Sequence, residues 1–146
     1  DVNKRVAEAA QQMWKENLNI DIKLESLENK VAAEKRTNHD FDMIRYGFSA
    51  DYPDPMTYLS VWVSGAKGNY GQYSNEEFDK CIDDSIHTTG ADRDKALLRA
   101  EEILMEDAVI CPLYEVVDTC MIRSNVVGWD KTGFSGWFFG YTDITD

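Results

Sequence analysis

The sequence predicts an α/β fold with a mixed sheet flanked by helices. Three observations carry that prediction. Helical and strand patterns alternate at the start of the chain in the order helix, strand, helix, strand, which is most simply a parallel βαβ arrangement. The second of those strands, residues 41–48, has apolar residues on both parities, as expected of a strand covered on both faces. Two later helical stretches precede a candidate antiparallel hairpin, which makes the sheet mixed.

Residues 1–18 read as an amphipathic helix, with Val2, Val6, Ala10, Met13 and Trp14 at spacings of three and four and charge opposite. Residues 19–25 alternate Ile20, Ile22 and Leu24 with Asp21, Lys23 and Glu25, a half-buried strand. Residues 27–37 return to helical composition. In residues 41–48, Phe41, Met43 and Ile44 lead into Tyr46 and Phe48. The first helix has no strand ahead of it, so the chain is expected to be truncated on its N-terminal side and to belong to a larger protein. Residues 56–63 are short and apolar, with Tyr58, Leu59 and Trp62 on one helical face, and residues 64–71 form a loop of Gly and small residues closed by Tyr70 and Tyr73. Ser74 with Glu77 makes a capping box that starts a helix over residues 75–87, ended by Thr88, Thr89 and Gly90. A second helix over residues 92–107 carries a core stripe of Leu97, Leu98, Ala100, Ile103 and Leu104. Residues 109–116 and 119–122 pattern as a hairpin around Val117 and Asp118, and residues 128–141 hold Trp129, Phe134, Trp137, Phe138 and Phe139 among glycines.

Composition removes several function classes. A chain of 146 residues with 43% hydrophobic residues has the size and core content of one compact domain. Its formal charge of −12 repels phosphate backbones and anionic lipid, against nucleic-acid or membrane-surface binding. No apolar run approaches the roughly 18 residues of a membrane span. Cys81, Cys111 and Cys120 are odd in number and lack C-x-x-C spacing, so buried free thiols are expected rather than a zinc site or a disulfide framework. His39 and His87 stand alone at expected loop or helix-end positions, and no nucleophile motif or phosphate-cradling glycine motif is present. Catalytic residues, metal ligands and cofactors are therefore not expected.

The stretch with site chemistry is residues 46–55. Pro53 and Pro55 fix their own φ and push Tyr52 and Asp54 out of the helical region, so the loop is held extended and presents Asp51 and Tyr52 rigidly. Ligands of open α/β sheets sit beyond the carboxyl ends of strands, where Asp51 would fall. A plain surface turn is the alternative, since Pro and Asp are ordinary turn residues. Asp51 and Asp54 could form a catalytic pair, but the prolines disfavour the turn that would join them, so binding is favoured over a small hydrolase and Asp54 reads as a structural acceptor. Tyr70, Tyr73, Tyr114 and Trp62 are candidates for pocket walls or for the core. The aromatic tail is a third possibility, a protein-interaction surface.

The run Gly47-Phe48-Ser49-Ala50-Asp51-Tyr52-Pro53-Asp54-Pro55 resembles the signature in the C-terminal lobe of the extracytoplasmic oligopeptide, dipeptide and nickel-binding proteins of ABC importers, the family 5 solute-binding proteins. Asn69-Tyr70, Tyr73 through Asp79, Arg93 through Asp107 and Ile110 through Tyr114 follow in that family's order, so the resemblance spans most of the chain. It implies one lobe of a two-lobe periplasmic-binding-protein type II fold, residues 1–146, whose other lobe and hinge lie upstream. It also implies a bacterial receptor outside the cytoplasm, in the periplasm or as a surface lipoprotein, that closes on a peptide and docks on a membrane permease. Asp51 is implied to pair with the peptide α-ammonium, with Tyr46, Phe48, Ala50, Tyr52 and Tyr70 around it. Phe48 stands where the family often carries Trp. Nickel-binding and other non-peptide members share much of the pattern, so a nickel chelate or another small solute is the alternative ligand. An isolated lobe is expected to bind weakly, because half the contacts are absent.

Overall fold

A computed structural model describes residues 2–117, 119–131 and 136–146. They fall into two compact units, residues 1–44 and 45–146.

In the first unit, α1 (Val2–Leu18) and α2 (Asn29–Thr37) form where the helical periodicity is unbroken. Each ends as the chain turns left-handed, at Asn19 (φ 55°) and His39 (φ 56°). Neither helix contains a fully buried residue, and Val2 and Met13 of the predicted stripe stand exposed. The strand predicted over residues 19–25 is not formed. The segment carries no ladder and is tied to α1 by the Gln11 side-chain amide donating to the Ile22 carbonyl at 2.7 Å and by an ion pair between Lys15 and Asp21. Lys35 of α2 reaches both Glu25 and Asp40.

In the second unit the core lies between α4 (Glu76–His87) and α5 (Gly90–Glu106), joined by Thr88 and Thr89. Phe78, Ile82, Leu97, Ala100, Ile103 and Leu104 are buried there, and Leu59 of the short helix α3 (Met56–Leu59) joins them. Burying one such side chain contributes about 1.5–3 kcal/mol, so this cluster holds the unit together. Leu98, predicted for the stripe, is 60% exposed, because it falls one position off the face defined by Leu97, Ala100 and Leu104. Asn75, not Ser74, caps α4. Its extended backbone lets the carboxamide oxygen accept from the Glu77 and Phe78 N–H groups at 2.9 and 3.1 Å, while the Ser74 hydroxyl meets that of Ser64. Asp107 closes the other end of the pair, accepting from the Tyr73 hydroxyl at 2.7 Å and the Asn75 side-chain amide at 2.8 Å.

The broad sheet is not formed among the described residues either. Residues 41–48 carry no strand, with Met43, Tyr46 and Phe48 exposed rather than covered on both faces. Residues 109–116 and 119–122 are likewise without strand among the described residues, and Val116, Val117 and Met121 are largely exposed. Asp118, at the centre of the predicted hairpin, lies outside the described residues, as does Phe134 of the tail. A strand is stable only when its N–H and C=O groups meet a neighbouring strand's, and these segments carry no ladder among the described residues. Among the described residues the strands are all short: β1 (Val126–Val127) pairs antiparallel with β4 (Asp143–Ile144), and β2 (Asp130–Lys131) with β3 (Trp137–Phe138). Gly128 (φ 74°) makes the first pairing possible, because a Cβ there would lie 2.0 Å from the Tyr141 carbonyl oxygen. Trp129 and Trp137 pack at 5.7 Å in this tail. The cysteines are free, as expected, but not buried: Cys81 is half-buried, and Cys111 and Cys120 are exposed on segments that lack the predicted cover.

Candidate ligand-binding site

The loop before α3 is fixed by its own side chains. The Asp51 N–H donates to the hydroxyl of Thr57, a buried residue, at 3.0 Å. The Asp54 carboxylate accepts from the Met56 N–H at 2.9 Å, and the Asp54 carbonyl accepts from the Thr57 N–H at 3.1 Å. Pro55 opens α3 in helical geometry, where its missing N–H costs nothing. These bonds satisfy the first turn of a helix too short to persist alone.

Asp51 and Asp54 are thereby given different tasks. Asp54 is half-buried and forms an ion pair with Arg93 of α5 at 2.8 Å. That hydrogen bond, with the Met56 N–H second, holds its carboxyl below the usual carboxylate range. Asp51 is exposed, and no side chain among the described residues pairs with its carboxylate. With Asp54 committed to Arg93, the two carboxylates are not an acid–base couple of equals.

Two aromatic pairs flank the loop. Tyr46 meets Tyr70 edge-on at 6.0 Å, and Phe48 meets Tyr58 edge-on at 5.7 Å. Tyr46, Phe48, Tyr52 and Tyr58 keep 40–48% of their surface exposed, enough to present ring faces to a ligand. Ala50 and Tyr70 are half-buried. Tyr70 is carried by a loop organised by Asn69, itself 5% exposed. The Asn69 amide donates to the Tyr73 carbonyl at 2.7 Å, and its oxygen accepts from the Tyr73 N–H at 2.9 Å.

The structure thus brings Tyr46 to Tyr70 and gathers Phe48, Asp51 and Tyr52 on one braced segment. Of the other pocket-wall candidates, Trp62 and Tyr73 pack against the core, and burial pushes the Tyr73 hydroxyl well up. Tyr114 accepts from the Arg45 guanidinium at 3.0 Å. Sequence reasoning missed Arg45, Thr57 and Arg93. Arg45 was findable, since it precedes Tyr46, whereas the Asp54 partner lies 39 residues away. Among the described residues no group of three or more His, Cys, Asp or Glu could hold a metal ion, and no helix is long and apolar enough to cross a membrane.

Residues 1–70 match the family described as bacterial extracellular solute-binding proteins, family 5 Middle. The periplasmic oligopeptide-binding protein OppA of Haemophilus influenzae is 37% identical over 130 residues, which is 87% of this chain and 24% of that protein. The chain belongs to the family 5 solute-binding proteins. The periplasmic murein peptide-binding protein MppA of Escherichia coli is 34% identical over 128 residues, again 87% of this chain and 24% of that protein. The solved structure of Haemophilus influenzae OppA in complex with RPPGFSPFR superposes with a TM-score of 0.78 at 37% identity, covering 86% of this chain and 25% of that one. The chain therefore spans about a quarter of the length of these relatives. The family is one of solute-binding proteins rather than of enzymes.

Proposed function

We propose that residues 1–146 are the C-terminal ligand-binding lobe of a receptor that captures peptides outside the cytoplasm of a bacterium and delivers them to an ABC permease. The ligand lies between this lobe and a second one, and hinge closure buries it. Main-chain hydrogen bonds give sequence-tolerant affinity, and side chains enter separate pockets. Asp51 receives the peptide α-ammonium, and Tyr46, Phe48, Ala50, Tyr52 and Tyr70 line its surroundings. The rest of the polypeptide supplies strands for residues 19–25, 41–48 and 109–122, completing a mixed sheet of the type II periplasmic-binding fold.

The observation that carries this reading is the Asp51 carboxylate: exposed, without a side-chain partner among the described residues, and on a loop braced by Thr57 and two prolines. A carboxylate used for stability would be paired, as Asp54 is. Held rigidly in a closed cleft, it makes a charge-assisted hydrogen bond to an ammonium without first losing loop entropy.

Calorimetry on the full-length gene product tests it. Unblocked peptides are expected to bind about 10–100-fold tighter than their N-acetylated forms, the worth of a hydrogen bond to a charged group. Asp51→Asn is expected to remove most of that preference. Equal affinity for blocked and unblocked peptides refutes the assignment of Asp51, and binding of a nickel chelate or another non-peptide solute alone moves the ligand class.

A further inference from the structure

The Asp54–Arg93 pair has a geometry that loop stability alone does not require. Arg93 sits in the first turn of α5, where the helix macrodipole disfavours a cation and where its neighbours Asp92 and Asp94 are acidic. Its guanidinium instead reaches across to the loop before α3, and the side chains of the pair are only 27% and 29% exposed. The contact joins a series of bonds that runs to Asp51. Arg93 fixes the Asp54 carboxylate, and that carboxylate fixes the Met56 N–H. The Asp54 carbonyl fixes the Thr57 N–H, and the Thr57 hydroxyl fixes the Asp51 N–H. Leu59, one turn on, anchors α3 in the core. Without Arg93 the bonds within the loop remain, but α5 no longer holds the loop by an ionic contact.

We propose that Arg93 is a positioning residue for the ligand site, holding the Asp51 carboxylate in place through Asp54 and Thr57 without touching the ligand. The inference rests on the reading that Asp51 receives the ligand ammonium. It makes specificity for a free N-terminus depend on a residue of α5, a helix that carries none of the ligand-binding side chains. Arg93→Met and Asp54→Asn should then weaken the ammonium contact while leaving the remaining peptide contacts intact. Asp54→Asn is the milder change, because its carboxamide oxygen can still accept from the Met56 N–H and only the ionic contact is lost.

The test uses the full-length gene product and calorimetry with pentaalanine and N-acetyl-pentaalanine. The readout is the ratio of the two dissociation constants, which a general loss of stability does not move. Asp51→Asn, measured first, is expected to bring the ratio close to one and so to secure the reading beneath the inference; a ratio near one already in the wild type sinks that reading itself. Arg93→Met is expected to lower the ratio about tenfold and Asp54→Asn about threefold, with the acetylated peptide's affinity nearly unchanged. Arg93→Lys, which keeps the charge, is expected to recover part of the ratio. With Asp51 established, a wild-type ratio in Arg93→Met, both affinities falling together or neither falling, overturns the proposal. If Arg93→Met does not fold, Asp54→Asn decides alone, and a wild-type ratio there overturns it equally.

Discussion

Asn69 is the residue whose removal the structure prices most directly. It is 5% exposed and makes two short bonds to Tyr73, donating to its carbonyl at 2.7 Å and accepting from its N–H at 2.9 Å; two longer bonds of 3.3 Å run to the carbonyls of Trp62 and Val63. Asn69→Ala deletes both short bonds, each worth about 1 kcal/mol net, and adds the desolvation cost of leaving the Tyr73 N–H unsatisfied, about 1–3 kcal/mol. The expected loss is therefore about 3–5 kcal/mol, toward the lower end if water enters the space left. Urea unfolding of this chain, followed by far-ultraviolet circular dichroism, measures it. Asn69→Asp sharpens the test. Its carboxylate would face the carbonyls that the amide now satisfies, so its folded pKa rises, and the variant should regain stability as pH falls through that raised value. A loss below about 0.5 kcal/mol in Asn69→Ala, the range of an ordinary surface change, would refute this account of the loop that carries Tyr70.

Other expectations follow from the same contacts. Asp107 is held below the usual carboxylate range by the Tyr73 hydroxyl and then by the Asn75 amide. Its stabilisation is therefore present above the unfolded value near pH 4 and lost as pH falls through the lower folded value, so the stability gap between wild type and Asp107→Asn should close in acid titrations. A gap independent of pH down to full protonation would contradict that assignment. Cys111 and Cys120, both exposed, should react with a maleimide in the native chain well before half-buried Cys81, whose thiol is pushed up chiefly by burial; mass spectrometry of the labelled peptides reads the order, and early labelling of Cys81 would count against the α4–α5 packing.

What could be seen in the sequence was what is local. Helices α1, α2, α4 and α5 follow from periodicity within their own residues, and the core stripe of α5 was misjudged only at Leu98, which the helical turn carries past Leu97 and away from Ala100, Ile103 and Leu104. The strands were not recoverable in the same way, because a ladder depends on a partner that the strand's own residues do not specify. Residues 41–48 have a buried strand's composition and no neighbour among the described residues. The site divides likewise. The prolines marked out the loop, and the reading of Asp54 as a structural acceptor holds. Arg93 was invisible, since nothing in residues 46–55 names a cation 39 positions away.

Native mass spectrometry of the full-length gene product, purified without denaturation, tests the central claim most directly. Peptides with free N-termini, released from the wild type and depleted in Asp51→Asn, are what a peptide receptor with Asp51 at the ammonium predicts. A nickel chelate, a sugar or another non-peptide solute in the cleft, retained equally by Asp51→Asn, would contradict it.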